Sequence, residues 1–330
     1  MKCDGSFYFD SIKNYLDSYY SFEKEHFNLF DIFKLGRVLK LVRPDIVFSF
    51  STTLSHYALL LKLMKALHYR LINSIRNAPV DFTMQMRLEK VLYNLYGEVA
   101  ANSKAGLRAY NQSGKRGRYI LYNGFDESRI PDASKLELRK RLGIDDKFTV
   151  VMVASMGDSK DQTTFINAAE QALESGNDVQ FFLIGDGPKK TEYLALVSSL
   201  GLEKNVLFTG EVNNVEQYLK ASDLSVLIST NAEGFPNVVL ESLACETPVI
   251  VTDNGGTQEV VKNNYNGYLI TNGDFGTLAK KINFLKNNLD ILKYFSRNGV
   301  KTVKNYFSME IMISRFEEII NKNLPIIEKC

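Results

Sequence analysis

Short apolar runs alternate with longer amphipathic segments along most of this chain, and that alternation limits the folds open to it. The runs are rich in β-branched and aromatic residues, and helix-length stretches such as Gln162–Ser175 separate most of them. Strands separated in this way predict parallel sheets with helices on both faces. Near-continuous apolar strands such as Phe148–Ala154 are typical of burial on both faces. The predicted strands are Asp45–Phe50, Tyr69–Ser74, Glu98–Ala101, Tyr119–Tyr122, Thr149–Ala154, Gln180–Ile184, Val206–Phe208, Leu224–Ile228, Val249–Val251 and Gly267–Ile270.

A turn divides this α/β pattern into two series. Asn123-Gly124 is a strong turn signal, and the polar stretch Glu127–Lys147 follows it. We therefore predict a first domain over residues 1–130 and a second over 131–308. The amphipathic segment Met309–Lys322 has no strand behind it, so residues 309–330 are predicted to form a terminal helix that docks back toward the first domain.

Composition favours an ordinary globular protein in a reducing compartment. Cys3, Cys245 and Cys330 are scattered and odd in number, which predicts neither a disulfide framework nor a metal site, so a cytoplasmic location is expected. The N-terminus lacks the pattern of a signal peptide. The apolar stretch 58–67 is broken by lysines, so no segment is predicted to span a membrane.

The formal net charge of +2 conceals an asymmetry between the two halves. Residues 1–143 hold 23 Lys and Arg against 14 Asp and Glu, whereas residues 144–330 hold 17 against 24. The halves therefore carry +9 and −7. A basic first half is compatible with peripheral contact with anionic lipid or with an anionic acceptor, or with solvated lysine-rich helices, and these interpretations stay open. No recognisable nucleic-acid-binding module accompanies the charge, so nucleic acid is not an expected partner.

Two carboxylates eight positions apart, Glu233 and Glu241, are the strongest candidate site residues. Glu233 stands in a loop before Pro236, which suits the start of a helix, and Glu241 lies inside that helix. Unpaired N–H groups at a helix start favour an anion. The arrangement suits a nucleotide sugar, with its phosphate at the helix tip, the sugar near Glu233 and the ribose near Glu241. Taken singly, each acid could equally be a solvated carboxylate.

Weaker candidates follow other predicted strands at their carboxyl ends, where open α/β sheets bind ligands. Lys160 could neutralise a diphosphate, and Arg76 could hold an anionic group, but either could be an ordinary surface cation. Glycines at Gly185, Gly210 and the pair Gly255-Gly256 permit close approach to a ligand, or simply turns. No complete dinucleotide fingerprint, hydrolase nucleophile or metal-binding cluster is legible in the sequence.

These segments together resemble the family 4 retaining glycosyltransferases of the GT-B fold. The resemblance is densest in VASMGDSKDQTTFINAA, FFLIGDGPKK, VLFTGEV, AEGFPNVVLESLACETPVIVTDNGGTQEVV and NGYLI, and RPDIVFSF, VAANSKAGL and ILYNGFD are similar to the family's first domain. The resemblance implies two Rossmann-like domains facing a cleft and transfer of a hexosyl group from a nucleotide diphosphate sugar to a glycan or lipid-linked acceptor. It further implies retention of anomeric configuration, no obligatory metal or other cofactor, and a part in cell-surface polysaccharide synthesis.

The resemblance also implies a role for each matching residue. Glu233 would contact the donor sugar, Lys160 would balance the diphosphate, and Glu241 would accept hydrogen bonds from the ribose. The remaining donor-binding positions are Ser155, Gly185, Gly210, Val212, Gly234, Phe235, Asn237 and Val238.

The sequence departs from the family pattern in two places. Ser155 stands where the family commonly has an Arg, five residues before the phosphate-binding Lys, and Arg76 could compensate from across the cleft. Met1–Phe30 shows neither a strand nor the glycine-rich loop that usually opens the first domain, which is therefore expected to be incomplete. The alternative of a non-catalytic or partner-dependent nucleotide-sugar-binding subunit stays open, as does completion by a partner chain.

Overall fold

The protein forms two parallel sheets covered by helices. The computed structural model describes residues 17, 18, 20, 30–64, 67–79, 83–174, 176 and 178–324. Most of Met1–Phe30 lies outside these residues, so the expectation of an incomplete first domain stays a prediction. Each of the ten predicted strands occurs, with its ends shifted by at most two residues.

The first sheet has four parallel strands in chain order. They are β1 (Ile46–Ser49), β2 (Arg70–Ile75), β3 (Glu98–Ala101) and β4 (Arg118–Ile120). The helices of this part are α1 (Asp31–Val42), α2 (Thr52–Leu63), α3 (Met84–Leu92) and α4 (Lys104–Ala109). Ser51, Thr83 and Ser103 begin α2, α3 and α4 by accepting a hydrogen bond from a first-turn N–H group.

The second sheet has six parallel strands in the order β10-β9-β8-β5-β6-β7. They are β5 (Phe148–Val153), β6 (Val179–Ile184), β7 (Val206–Gly210), β8 (Leu224–Leu227), β9 (Val249–Thr252) and β10 (Gly267–Ile270). The order reverses between β5 and β8, so a crevice opens there at the carboxyl ends of the strands. β6 and β8 are buried along their whole length, which explains their unbroken apolar sequence.

Helices cover both faces of the second sheet and enclose the largest apolar core of the described residues. They are α5 (Lys135–Leu142), α6 (Gln162–Glu174), α7 (Lys190–Ser199), α8 (Val215–Ala221), α9 (Asn237–Ala244), α10 (Thr257–Val260), α11 (Phe275–Asn287) and α12 (Leu289–Tyr306). Asp223 anchors α5 to this sheet, since its carboxylate accepts hydrogen bonds from Arg139, Lys135 and the backbone N–H of Thr149.

The last helix, α13 (Met309–Asn323), returns to the first sheet. Ile319 is fully buried in an apolar cluster with Ile72, Ala100 and Leu121. The chain re-enters the first domain beside the point where it leaves that domain. The backbone N–H of Phe125 donates to the Phe307 oxygen at 2.8 Å, and the backbone N–H of Met309 donates to the Phe125 oxygen at 3.0 Å. Within the described part of the chain, no helix has both the length and the apolar content needed to cross a membrane.

We predict that Ile319→Ala lowers the free energy of unfolding by about 2–5 kcal/mol, the usual cost of removing a buried Ile side chain. Ile313→Ala on the same helix is the matched control, because Ile313 is 47% exposed and Ile319 is 0% exposed. Urea denaturation followed by circular dichroism measures both variants. Equal effects of the two substitutions would contradict the docking of α13 on the first sheet.

Candidate active site

The start of helix α9 forms the centre of the site. Pro236 precedes its first residue, Asn237, with an extended backbone, and no side chain caps this helix. Pro236 itself has no N–H, while the first-turn N–H groups that follow it have no intrahelical partner. Together with the helix dipole, these groups give the helix start a positive potential that suits a phosphate.

Glu233 lies in a compact polar cluster just ahead of that helix. Its Oε1 atom accepts a hydrogen bond of 2.5 Å from the Ser229 hydroxyl and pairs closely with the Lys160 ammonium. Lys160 Nζ also donates to Ser229 Oγ at 3.2 Å. A single β-bridge between Lys160 and Ser229 joins the segment after β5 to the segment after β8. The structure thus brings two of the predicted catalytic residues, Glu233 and Lys160, into direct contact.

Glycines let the two domains approach each other beside this cluster. A Cβ atom on Gly234 would lie 2.2 Å from the backbone oxygen of Arg76, and one on Gly256 would lie 3.2 Å from Cβ of Ser103. Gly256 also packs on Gly234, whose backbone oxygen would be 2.0 Å from such an atom. Arg76 therefore meets the Glu233–Pro236 loop through its backbone, across the boundary between the domains.

Glu241 lies one turn inside α9 and pairs with an arginine from the interdomain passage. Arg129 Nη2 donates to Glu241 Oε1 at 3.1 Å and also contacts Glu216 closely. Burial raises the pKa of Glu241; Arg129 opposes this shift, and Glu216 reinforces it. One guanidinium is therefore shared by two largely buried carboxylates.

A hollow of about 310 Å³ lies between the two domains at this place. Asn237 and Glu241 from α9 face it, and Arg76 and Phe50 line it from the first domain. The Arg76 guanidinium lies 5.6 Å from the ring centre of Phe50, and burial lowers its pKa. Asn123 closes the hollow by donating to Asn237 Oδ1 at 2.6 Å. Glu233 does not line this hollow, but its neighbour Gly234 contacts Arg76, which does.

The remaining predicted positions occupy strand ends or the interdomain core. The backbone N–H of Gly185 donates to the Gly210 oxygen at 2.9 Å, and a Cβ atom on Gly185 would lie 2.2 Å from the Ala154 oxygen. Ser155 is exposed at the end of β5. Phe235 is buried, with its ring 5.2 Å from Tyr122 and 5.3 Å from Phe307, so only its backbone is available to a ligand.

Two valine positions from the donor-binding set are half-buried. Val212 packs with the apolar cluster under α5 and α8, and Val238 packs with the cluster under α9. The donor-binding roles of both residues stay predictions.

Sequence reasoning did not identify two residues that shape this site. Arg129, the partner of Glu241, stood in a stretch interpreted only as a polar connection. Glu259 accepts hydrogen bonds of 2.8 Å from the backbone N–H groups of Lys104 and Ala105 and from the Tyr122 hydroxyl, and so joins the two domains. The only available signal was an acid shortly after a glycine pair, which does not reveal a contact across domains.

Comparison with known proteins identifies the family. Residues 134–302 match the family described as glycosyl transferases group 1. The chain belongs to this family. Among the residues that the structure describes, no three His, Cys, Asp or Glu side chains are grouped so that they could hold a metal ion.

This chain is similar to two curated relatives over about 60% of its length. It is 30% identical over 199 residues to the N-acetyl-alpha-D-glucosaminyl L-malate synthase of Bacillus anthracis, covering 60% of this chain and 52% of that protein. It is 29% identical over 208 residues to the UDP-Gal:alpha-D-GlcNAc-diphosphoundecaprenol alpha-1,3-galactosyltransferase of Escherichia coli, covering 61% of this chain and 53% of that protein. The chain thus spans about half the length of these relatives.

The fold of this chain is similar to that of Anabaena HepE, solved in complex with UDP and glucose. The two structures agree with a TM-score of 0.82 over 95% of this chain and 89% of HepE, at 23% identity. This likeness, together with the two parallel sheets and the cleft between them, confirms the predicted GT-B fold.

We predict that Gly234→Ala disrupts the contact between the domains, because the added methyl group would overlap the backbone of Arg76 and neither side can move as a flexible side chain could. The expected loss of stability is about 1–3 kcal/mol. Thermal unfolding measures it, with Gly97→Ala as control, since a Cβ atom on Gly97 would meet nothing within 4 Å. A Gly234→Ala protein as stable as the control would contradict the close packing.

Proposed function

We propose that this chain is a glycosyltransferase that moves a hexosyl group from a nucleotide diphosphate sugar to a glycan or lipid-linked acceptor, with retention of anomeric configuration. The observation that carries the proposal is the arrangement around α9, where an uncapped helix start lies between two carboxylates that each contact a cation. Family membership supports the same conclusion. The Escherichia coli relative, named as a galactosyltransferase on a diphosphoundecaprenol acceptor, supports a lipid-linked acceptor.

In this proposal the nucleotide lies along the second domain. The ribose hydroxyls donate to Glu241. Arg129 holds Glu241 in place by an ion pair, and Arg129 is itself held by a second ion pair with Glu216. The base lies near Gly210 and Val212, at the end of β7. Because Gly210 has no side chain, a flat base can approach the backbone there, whereas the Cβ position of Gly185 is already filled by the Ala154 oxygen.

The diphosphate lies at the start of α9, where the chain supplies several positive groups. N–H groups of Gly234, Phe235 and Asn237 face it, and Lys160 and Arg76 approach it from the two domains. As the bond to the sugar breaks, negative charge grows on the leaving phosphate, and fixed donors that are already oriented stabilise this charge most effectively. We propose that Lys160 and Arg76 neutralise the charge of the diphosphate without a metal ion. Unchanged transfer in excess EDTA would support this proposal.

Glu233 positions the sugar in this scheme. Its carboxylate accepts hydrogen bonds from sugar hydroxyls, while Ser229 and Lys160 fix its orientation. The acceptor hydroxyl then attacks the anomeric carbon from the face that the diphosphate leaves, and a leaving phosphate oxygen takes the acceptor proton. This route retains configuration and needs no protein nucleophile, so the protein contributes position and electrostatic stabilisation.

The proposed acceptor also suggests where the protein works. A glycan carried on a lipid diphosphate is presented at a membrane surface, and we propose that the chain associates peripherally with the cytoplasmic face. A role in cell-surface polysaccharide synthesis follows from such an acceptor.

We predict that Glu241→Ala weakens binding of the nucleoside diphosphate by roughly 1–3 kcal/mol, the scale of lost charge-assisted hydrogen bonds. Isothermal titration calorimetry with UDP and GDP measures the effect. Glu174→Ala is the control, because Glu174 is an exposed carboxylate at the last residue of α6, at the opposite edge of the second sheet from the strand carboxyl ends. Unchanged affinity in Glu241→Ala would exclude the ribose role.

We predict that Glu233→Gln reduces transfer by about 10²–10³-fold while nucleoside diphosphate affinity changes little, because Glu233 contacts the sugar and not the nucleotide. Radiolabelled sugar transfer onto undecaprenyl-diphosphate-linked acceptors measures the rate, and calorimetry measures the affinity. Nucleotide binding without turnover in the parent chain, over a broad panel of acceptors, would instead favour a non-catalytic binding subunit.

A further inference from the structure

Helix α3 and the turn that follows it carry apolar side chains on their solvent side. Met84, Leu88, Val91 and Leu95 follow at spacings of four, three and four residues, so they form one stripe. Their exposed fractions are 80%, 59%, 63% and 57%. The opposite face of the helix holds the buried Glu89. A helix at the surface of a globular protein ordinarily has the reverse arrangement, with its apolar stripe toward the core.

The stripe continues onto the neighbouring helix. Leu60, Leu63 and Met64 are exposed at the end of α2. Leu63 and Leu95 line the same shallow hollow, which joins the two sets of side chains. We call the seven residues the α2–α3 patch; they are Leu60, Leu63, Met64, Met84, Leu88, Val91 and Leu95. Contiguous exposed apolar surface of this kind marks a site of interaction with a protein or a membrane.

The surroundings of the α2–α3 patch are basic. Lys62 on α2 and Arg87 on α3 are exposed beside it. Residues 30–120 contain 15 Lys and Arg against 5 Asp and Glu, a charge of +10. Of the four acids that the structure describes in this range, Asp31 and Glu89 are buried, Glu98 is half-buried and Asp45 is exposed. Within residues 30–120, the exposed charges that the structure describes are therefore almost all positive, and they surround an apolar centre.

We infer that the α2–α3 patch docks this chain on an anionic lipid bilayer. Apolar side chains of an interfacial helix enter the boundary between headgroups and acyl chains, while neighbouring Lys and Arg attract anionic headgroups. Charge decides against a second copy of the chain as the occupant, because a symmetric contact would bring two such positive surfaces together. The acidic second half would then face away from the membrane.

The position of the α2–α3 patch connects it to the cleft. Inside α3, Glu89 lies 3.4 Å from the Tyr110 hydroxyl, which in turn donates to Asn77 at 3.0 Å. Asn77 follows Arg76 at the edge of the hollow between the domains. Docking through α2 and α3 would therefore hold at the bilayer a helix whose buried face is linked to the edge of the cleft. A role for docking in bringing the cleft to its acceptor rests on the proposed transfer to a lipid-linked acceptor. The docking itself does not rest on that proposal.

Vesicle flotation tests the inference with the full chain and without donor or acceptor. The vesicles are phosphatidylcholine alone or phosphatidylcholine with about 30 mol% phosphatidylglycerol, an anionic lipid. The parent chain should float with the anionic vesicles only, and raising the salt from about 0.1 M to about 0.5 M should weaken binding by screening the basic residues. Absence of binding to the anionic vesicles would overturn the inference.

A double variant, Leu88→Gln with Val91→Gln, should lower binding to the anionic vesicles at least about tenfold, because it removes apolar surface without changing charge. The matched control is Leu194→Gln with Leu207→Gln, whose side chains are also exposed but lie in the second domain; it should bind as the parent does. Circular dichroism and nucleotide calorimetry should be unchanged in both variants.

A second pair of substitutions separates charge from apolar contact. Lys62→Gln with Arg87→Gln should reduce binding to anionic vesicles while the apolar stripe stays intact. Equal vesicle binding by the Leu88/Val91 variant and the parent would overturn the inference. The inference would also be overturned if the parent chain were a dimer in sedimentation equilibrium and the Leu88/Val91 variant a monomer. That result would assign the patch to a second copy of the chain. Loss of transfer with normal flotation would count only against the proposed function.

Discussion

The site depends on a place where backbone meets backbone between the two domains. Gly234 lies against the backbone of Arg76, and Gly256 lies against Gly234, at separations that leave no room for a side chain. Because these contacts involve main-chain atoms, they cannot adjust by a change of rotamer. They fix the Glu233–Pro236 loop against the end of β2 and so set where the start of α9 points. The proposed contacts of the diphosphate, the sugar and the ribose all depend on the position of that helix start.

Charge is distributed around this contact in a consistent way. Lys160 and Arg129 each contact one of the two carboxylates at the ends of the motif, and both carboxylates are largely shielded from water. A buried carboxylate without such a partner would be costly. The cations therefore orient Glu233 and Glu241 as acceptors for neutral hydroxyl groups. In the proposed function, Lys160 also faces the negative charge of the diphosphate.

The sequence was sufficient for the strands and for part of the site, for physical reasons. Buried parallel strands are short and apolar, so Gln180–Ile184 and Leu224–Ile228 stand out from their polar flanks. The pairing of Glu233 with Lys160 was less accessible, since 73 residues separate them and only the sheet order brings β5 beside β8. Arg129 and Glu259 were not found, because a charged residue in a polar segment gives no sign of its distant partner. The outward stripe on α3 has helical periodicity, which does not tell a buried face from an exposed one.

Glu259 belongs to the second domain, yet its carboxylate holds the first two backbone N–H groups of α4 in the first. Its contact with the Tyr122 hydroxyl, on the segment leading out of the first domain, adds a third tie. Rotation of the domains apart about the β-bridge between Phe125 and Ser308 would break these hydrogen bonds together. One carboxylate thus couples the position of α4 in the first domain to that of α10 in the second.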